Sequence, residues 1–210
     1  MHLAPYRPDT AGRVNHWIKS CAGCVPDGRL GGMSAITITP RTVRHVQIAT
    51  GRPYQQFREE YEAAVPAFDR LEAIGVVTSG AGWAGIESLS RNTAVHGLVS
   101  FFTFDPSPVM RLNGSTRRGV TYLSGNIVEA EKGFRVDPAC FLYLPLRVVI
   151  SEATDGTAVL GVDAPADLFG VFPGPEMTDV ATVFTRTFGQ LLQHLGLPVA
   201  REITGTDGDE

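Results

Sequence analysis

Residues 146–162 read LRVVISEATDGTAVLGV, and this stretch decides the fold class of the chain. Two segments rich in β-branched residues, 146–151 and 158–162, flank the dipeptide Asp155-Gly156. Asp-Gly between β-branched and apolar residues is the strongest short-range signal for a β-hairpin. The stretch therefore predicts two neighbouring antiparallel strands joined by a tight turn.

Outside this hairpin, the remaining elements follow from local patterns. Runs of β-branched and apolar residues predict strands, and apolar residues three or four apart predict helices. The predicted strands cover residues 43–50, 98–104 and 120–123, and the predicted helices begin near Tyr54 and cover residues 83–94 and 127–134. Strands joined by short turns favour an antiparallel sheet with helices packed on one face. The order of elements therefore indicates an α+β domain.

Two of the predicted helices have long apolar faces. The first places Tyr54, Phe57, Tyr61, Val65, Phe68 and Leu71 on one face, which we expect to be core, and Pro66 should kink or restart this helix. The last follows Pro175 and ends before Gly196 and Pro198. Its expected core positions are Met177, Val180, Phe184, Phe188, Leu191 and Leu195.

The ends of the chain differ in composition from the middle. At 210 residues with 43% apolar residues, the chain is long enough for one domain with a sizeable core. The predicted organisation is a disordered or peripheral extension at residues 1–32, an α+β domain at residues 33–200, and a flexible acidic tail at residues 201–210. Met33 is a plausible true start, because the strand-like Ile36 and Ile38 follow it.

The charge and hydropathy of the sequence argue against several partners. With 18 Lys and Arg against 22 Asp and Glu, the net charge is −4 and no basic stripe is present, so we expect no nucleic-acid partner. No apolar run approaches the roughly 18 residues of a membrane span or resembles a signal peptide. These features predict a cytoplasmic protein with no membrane partner.

The potential metal ligands are few and scattered. Cys21 and Cys24 could be half of a zinc site or a redox dithiol, with His16 and Cys140 as the nearest further zinc ligands. An incidental pair is the favoured interpretation, because the cysteines lie in a Gly- and Pro-rich stretch. The five histidines lack metal-site spacing, and no phosphate loop is present. The sequence therefore predicts no metal and no cofactor.

Four motifs follow one another in a fixed order in the second half of the chain: Tyr122-Leu-Ser-Gly-Asn126, Asp137-Pro138, Leu142-Tyr-Leu-Pro-Leu-Arg147 and Asp163-Ala-Pro165. This run resembles the domain of unknown function 302 family, and a looser similarity extends over residues 43–197. The resemblance implies a fold similar to the TATA-binding-protein-like α+β arrangement, with a curved antiparallel sheet, helices on one side and frequent dimers. It implies no established reaction. Ile127 and Ser151 depart from the family pattern, which commonly has proline and an aromatic residue there.

Three candidate ligand contacts surround one predicted helix start. Tyr122, Asn126 and Glu129 place a hydroxyl, an amide and a carboxylate near free backbone N–H groups, which favour an anionic or carbonyl ligand. The alternative is that Asn126 only caps the helix and Gly125 only permits a tight turn.

Two further candidates, Tyr143 and Arg147, are an even number of residues apart and would lie on the same face of an extended strand. On a concave, ligand-facing surface, Arg147 would be a bidentate clamp for a carboxylate or phosphate. On the open face it would instead pair with Glu152 or Asp163.

The sequence leaves three functions open. An excess of aromatic residues supports binding of a small apolar or weakly acidic molecule between sheet and helices. Proton transfer on a small carbonyl compound by Tyr122, Glu129 or His96 is a second possibility, without metal or nucleotide. A structural or regulatory homodimer that buries the Phe-rich surface is the third.

Overall fold

The computed structural model describes residues 36–199. The described residues belong to two units, which divide between Ile38 and Thr39. The described part of the second unit contains five strands, β1 His45–Pro53, β2 Val99–Phe104, β3 Gly119–Gly125, β4 Leu146–Glu152 and β5 Thr157–Asp163. Its helices are α1 Tyr54–Ala64, α2 Arg70–Thr78, α3 Gly82–Thr93, α4 Ser107–Arg111, α5 Ile127–Val136, α6 Pro165–Leu168 and α7 Pro175–His194, with a 3-10 helix at Pro138–Leu142.

The five strands form one antiparallel sheet in the order β1-β5-β4-β3-β2. The predicted hairpin at Asp155-Gly156 is confirmed as the connection between β4 and β5. The Asp155 carboxylate accepts the Thr157 backbone N–H at 3.0 Å, and Gly156 has a φ of +84°. A left-handed glycine at this point is what a short hairpin loop requires.

Burial alternates along the strands, so one face of the sheet is covered by helices and the other is open. The covered face presents Val120, Tyr122, Leu146, Val148, Ile150, Leu160 and Val162, all almost fully buried. The residues between them, such as Leu123 and Val149, are half-buried, and Arg147 is exposed. The predicted α+β class, with an antiparallel sheet and helices on one face, is therefore confirmed.

Helix α7 carries the apolar face expected from its spacing. Each of the six predicted core positions is at most 6% exposed, and the helix packs against α5 and α6. These residues share one cluster with the covered face of the sheet, so α7 forms much of the second layer of the core.

The prediction that Leu71 belongs to the core face of the first helix is wrong. Helix α1 ends at Ala64, and Pro66 is followed by a parallel bridge between Ala67 and Ser100. Because proline cannot continue the helical hydrogen bonding, the chain leaves the helix and restarts at Arg70. Leu71 then lies on α2 and is 81% exposed.

Helix α2 buries none of its residues. Its apolar side chains Ile74 and Val77 are 57% and 71% exposed, although the helix is well capped by Asp69, whose carboxylate accepts the N–H groups of Leu71 and Glu72. The cap stabilises the helix start, while the apolar surface of α2 is left uncovered within the described residues.

Several predictions about the chain ends are not tested by the described residues. The extension at residues 1–32, Met33, the Cys21 and Cys24 pair and the tail at residues 201–210 lie outside them. Ile36 and Ile38 belong to no strand, which corrects the expectation of a strand there. Within residues 36–199, no helix is long and apolar enough to cross a membrane, and no three His, Cys, Asp or Glu side chains are grouped to hold a metal ion.

Candidate functional site

Tyr122 lies in the core, on the covered face of β3. It is 1% exposed, its ring centre lies 4.8 Å from that of Tyr61, and its hydroxyl donates to Oε1 of Glu62 at 2.7 Å. Burial, together with the hydrogen bond to Glu62, raises its pKa well above the usual value of a tyrosine. At neutral pH the hydroxyl is therefore protonated and already bound within the protein.

Asn126 caps α5, as one of the two sequence interpretations expected. Its Oδ1 accepts the N–H of Val128 at 3.0 Å and the N–H of Glu129 at 3.4 Å, and it also accepts the Ser90 hydroxyl at 3.1 Å. Its Nδ2 donates to the Gly97 carbonyl at 3.1 Å. The amide therefore has partners at both ends, and it ties the starts of α5 and β2 to α3.

The other three candidates lie apart from Tyr122. Glu129 accepts a hydrogen bond from Nζ of Lys132 at 2.7 Å along α5. The guanidinium of Arg41 lies 4.1 Å from the ring centre of Tyr143. Arg147 is exposed and pairs in register with Leu123, on the sheet face opposite to that of Tyr122.

The partners expected for Arg147 on an open face are engaged elsewhere. Glu152 forms an ion pair with Arg118, and the carboxylate of Asp163 lies 3.0 Å from Nδ1 of His45. Arg147 therefore contributes an exposed charge to the open face of the sheet.

The three groups considered for proton transfer have separate partners. Tyr122 donates to Glu62 and Glu129 pairs with Lys132, while the ring of His96 stacks on that of His194 with ring centres 3.6 Å apart. The described hydrogen bonds and ring contacts therefore connect none of these three groups to another.

The most suitable place for a ligand is an apolar cavity between β2, β3, α5 and α7, which we call the inner cavity. Its volume is about 240 Å³. The wall residues are Phe101, Gly125, Asn126, Ile127, Ala130, Phe141, Leu144, Pro145 and Phe184. Apart from Asn126, whose amide is occupied by the contacts above, every side chain in this wall is apolar.

A smaller cavity of about 150 Å³, which we call the side cavity, lies next to the inner one. Ile127 lines both, and the remaining wall consists of Phe68, Ala73, Ile86, Leu89, Ser90, Thr93 and Val99. The side cavity therefore lies beneath α2 and α3, the two helices that follow the break at Pro66.

An open groove along α2, which we call the mouth groove, borders both cavities. It is lined by Phe68, Arg70, Ala73, Ile74, Val77 and Phe101. The rings of Phe68 and Phe101 have their centres 4.8 Å apart, and Phe101 also lines the inner cavity. This ring pair therefore lies between the groove and the cavities.

The position of Phe101 depends on an irregularity in β2. The pairing of β2 with β3 shifts between Ser100 and Phe102, so that Phe101 is out of register. Such a bulge redirects a side chain, and here it brings the Phe101 ring to Gly125, at whose position a Cβ would lie 3.4 Å from the ring. The alternation of apolar and polar residues along the sequence cannot predict this bulge. The concentration of Phe residues in this strand was a partial indication of an aromatic-lined cavity.

A wider groove between α3, α5 and α7 is a weaker candidate for a ligand. It has a volume of about 530 Å³ and contains Trp83 together with Glu131, Lys132 and Arg135. Its basic residues are paired along α5, where Arg135 contacts Glu131 at 2.6 Å and Lys132 contacts Glu129. This groove therefore has the features of a solvated surface.

One protein family matches about half of the chain. The family described as "Domain of unknown function DUF302" matches residues 85–195, which include every wall residue of the inner cavity. The chain belongs to the DUF302 family. No curated protein matches the sequence.

A solved member of the DUF302 family has the same fold. The crystal structure of an uncharacterized conserved DUF302 protein from Bacillus stearothermophilus is similar, with a TM-score of 0.50 and 16% sequence identity. The match covers 72% of this chain and 97% of that chain. Helix α2 and Arg70 precede the stretch that matches the DUF302 family.

Proposed function

We propose that this DUF302 protein is a cytoplasmic small-molecule-binding domain that holds an apolar ligand in the inner cavity. The observation that carries the proposal is the apolar wall of that cavity, in which the one polar side chain, Asn126, is satisfied by the protein itself. Ligand sites are typically concave, mostly apolar and largely preformed. The free thiol of the buried Cys140 fits a reducing compartment.

The size of the cavities favours a small ligand. The inner cavity is below the usual range of about 300–1,000 Å³ for ligand pockets, and the adjoining side cavity brings the combined space to its lower end. The wall residue shared by both cavities, Ile127, is the first residue of α5. A single short chain or ring system is therefore the expected occupant.

The proposal is tested by filling the inner cavity. Ala130 is 6% exposed and lines the cavity, so Ala130→Leu places additional carbon atoms where the ligand would lie. Native mass spectrometry and thermal shift with a panel of short apolar compounds should detect binding to the wild type and at least a tenfold loss in the variant. The matched control is Ala49→Leu at an exposed position of β1, which should bind as the wild type does.

Two results would overturn this function. One is that no compound of the panel binds to the wild type. The other is equal affinity of the wild type and Ala130→Leu for every binder. If Ala130→Leu does not fold, Ile127→Ala supplies an independent test, because an enlarged cavity should shift the preference toward bulkier members of the panel.

A homodimer is the second candidate, and the open face of the sheet favours it. Phe102 and Phe104 are 49% and 51% exposed, and they pair in register with Leu123 and Thr121 on that face. Contiguous exposed apolar surface often marks an interface. We propose that a second copy of the chain covers this face.

Light scattering at micromolar concentration tests the dimer. The wild type should have twice the mass of the 22.6 kDa chain, and Phe104→Lys should have the mass of the monomer. Leu112→Lys is the control, since Leu112 is 89% exposed and lies on another element. A monomeric wild type, or a Phe104→Lys variant that remains dimeric, contradicts the proposal.

A further inference from the structure

Arg70 is the one basic residue in the wall of the mouth groove. It is exposed, and one of its guanidinium nitrogens donates to the Phe101 carbonyl at 3.2 Å. A guanidinium has five N–H donors, so this single bond leaves it able to bind an anion as well. The contact also fixes the charge beside Phe101, the residue that lines both the groove and the inner cavity.

Among residues 36–199, neither Asp69 nor Glu72 forms an ion pair with Arg70. Asp69 uses its carboxylate to accept the N–H groups of Leu71 and Glu72, which caps α2. Glu72 is exposed and is not part of the groove wall. The wall therefore combines apolar side chains with one positive charge.

The mouth groove and the inner cavity together match an amphipathic anion, because a positive charge lies at the solvent side and an apolar space lies behind it. The mouth groove supplies the cation and the exposed apolar residues Ile74 and Val77, and the ring pair of Phe68 and Phe101 lies between this groove and the inner cavity. A carboxylate at Arg70 would remain at the solvent side, where its hydration is largely retained. Its hydrocarbon part would extend past Phe101 into the inner cavity.

We propose that the ligand is an amphipathic monocarboxylate whose acid group binds Arg70 and whose apolar part enters the inner cavity. The inference rests on the function proposed above and specifies the ligand class for that site. It also assigns the anion contact to Arg70, whereas one of the two sequence interpretations assigned it to Arg147, which lies on the open face of the sheet.

The test compares four probes with the same eight-carbon chain: octanoate, 1-octanol, methyl octanoate and octylammonium. Calorimetry on the full chain at low salt should give octanoate the highest affinity, about fivefold above 1-octanol, as expected for one partly exposed ion pair. Methyl octanoate should resemble 1-octanol, and octylammonium should bind less tightly than both. The preference for octanoate should decrease as salt is added.

Variants of Arg70 identify the residue responsible. Arg70→Gln keeps an amide donor for the Phe101 carbonyl but removes the charge, so octanoate and 1-octanol should then bind equally. Arg70→Lys should retain part of the preference. The matched control Arg111→Gln removes another exposed arginine, from α4, and should leave the preference unchanged.

The outcomes separate the inference from the function on which it rests. Equal affinity of octanoate and 1-octanol for the wild type overturns the ligand class, as does a preference that persists in Arg70→Gln; both leave apolar binding intact. If none of the four probes binds, while other apolar compounds bind and are lost in Ala130→Leu, the monocarboxylate class alone is overturned. If no apolar compound binds at all, both proposals are overturned.

Discussion

The hydroxyl of Tyr122 on β3 donates to the carboxylate of Glu62 on α1 at 2.7 Å, linking the sheet to the first helix. Tyr122→Phe removes this bond and leaves the ring in place. Glu62 keeps its 2.9 Å contact with Arg58 and remains partly exposed, so no buried charge is left unpaired. We therefore expect the free energy of unfolding in urea to decrease by about 1 kcal/mol.

The control for this variant is Tyr143→Phe. Among residues 36–199, the Tyr143 hydroxyl has no hydrogen-bond partner, and the contacts of Tyr143 with Arg41 and Phe172 involve the ring. This substitution should change the free energy of unfolding by less than about 0.5 kcal/mol. Equal effects of the two substitutions would show that the bond to Glu62 contributes nothing net.

The buried tyrosines should resist ionisation while the protein is folded. Burial raises the pKa of Tyr54, Tyr61 and Tyr122, so the folded state favours their neutral form. Because their folded pKa values lie above the unfolded value of about 10, the stability they contribute is complete below pH 10 and is lost as the pH rises further. Absorbance at 295 nm should show at least three of the five tyrosines ionising only together with unfolding. Early ionisation of all five, with the fold intact by circular dichroism, would contradict this expectation.

Loss of the Asn126 cap should destabilise the whole domain. Asn126→Ala removes the acceptor for the first turn of α5 together with the bond to the Gly97 carbonyl. The expected decrease in the free energy of unfolding is about 1–2 kcal/mol.

The comparison for Asn126→Ala is Asp69→Ala, which removes a cap of the same type from α2. Because α2 buries no residue, the effect should be local, with faster amide hydrogen exchange in α2 and a global change below about 0.5 kcal/mol. Equal global effects would place α2 within the cooperative core.

Gly97 should tolerate no side chain, for two separable reasons. Its φ is +80°, and an added Cβ would lie 2.5 Å from Cγ2 of Thr187 on α7. Gly51 has a φ of +66° but open space around it. We expect Gly51→Ala to cost about 1–2 kcal/mol of unfolding free energy from the backbone alone, and Gly97→Ala about 1–3 kcal/mol more.

A double mutant separates the two contributions at Gly97. In a Thr187→Ala background, Gly97→Ala should lose its extra cost and approach the value for Gly51→Ala, as measured by urea unfolding. An unchanged cost in that background would mean that the contact with Thr187 contributes nothing to the cost of Gly97→Ala.

The local elements could be predicted from the sequence wherever neighbouring residues alone specify them. Asp155-Gly156 encodes its own turn, and the spacing of apolar residues from Met177 to Leu195 identifies the buried face of α7. The restart at Pro66 was also predictable, but the exposure of Leu71 was not, because burial depends on what packs against a helix. Helix α4 was missed, since five residues are too few to show a helical period.

Some features of the candidate site could likewise be predicted from the sequence, and others could not. The capping function of Asn126 follows from the sequence, because a cap bonds to residues two and three positions along the chain. The sequence also determines which neighbours of Tyr122 and of Arg147 share a face with each of them on their own strands. Only the register between the two strands, which pairs Leu123 with Arg147 and Tyr122 with Val148, places Tyr122 and Arg147 on opposite faces of the sheet. The cavity at Phe101 and the charge of Arg70 beside it depend on a bulge and on contacts between distant segments. The order of elements and the turns are thus local properties that the sequence determined, whereas the ligand-sized space was decided by tertiary packing, since it exists only where separate elements meet.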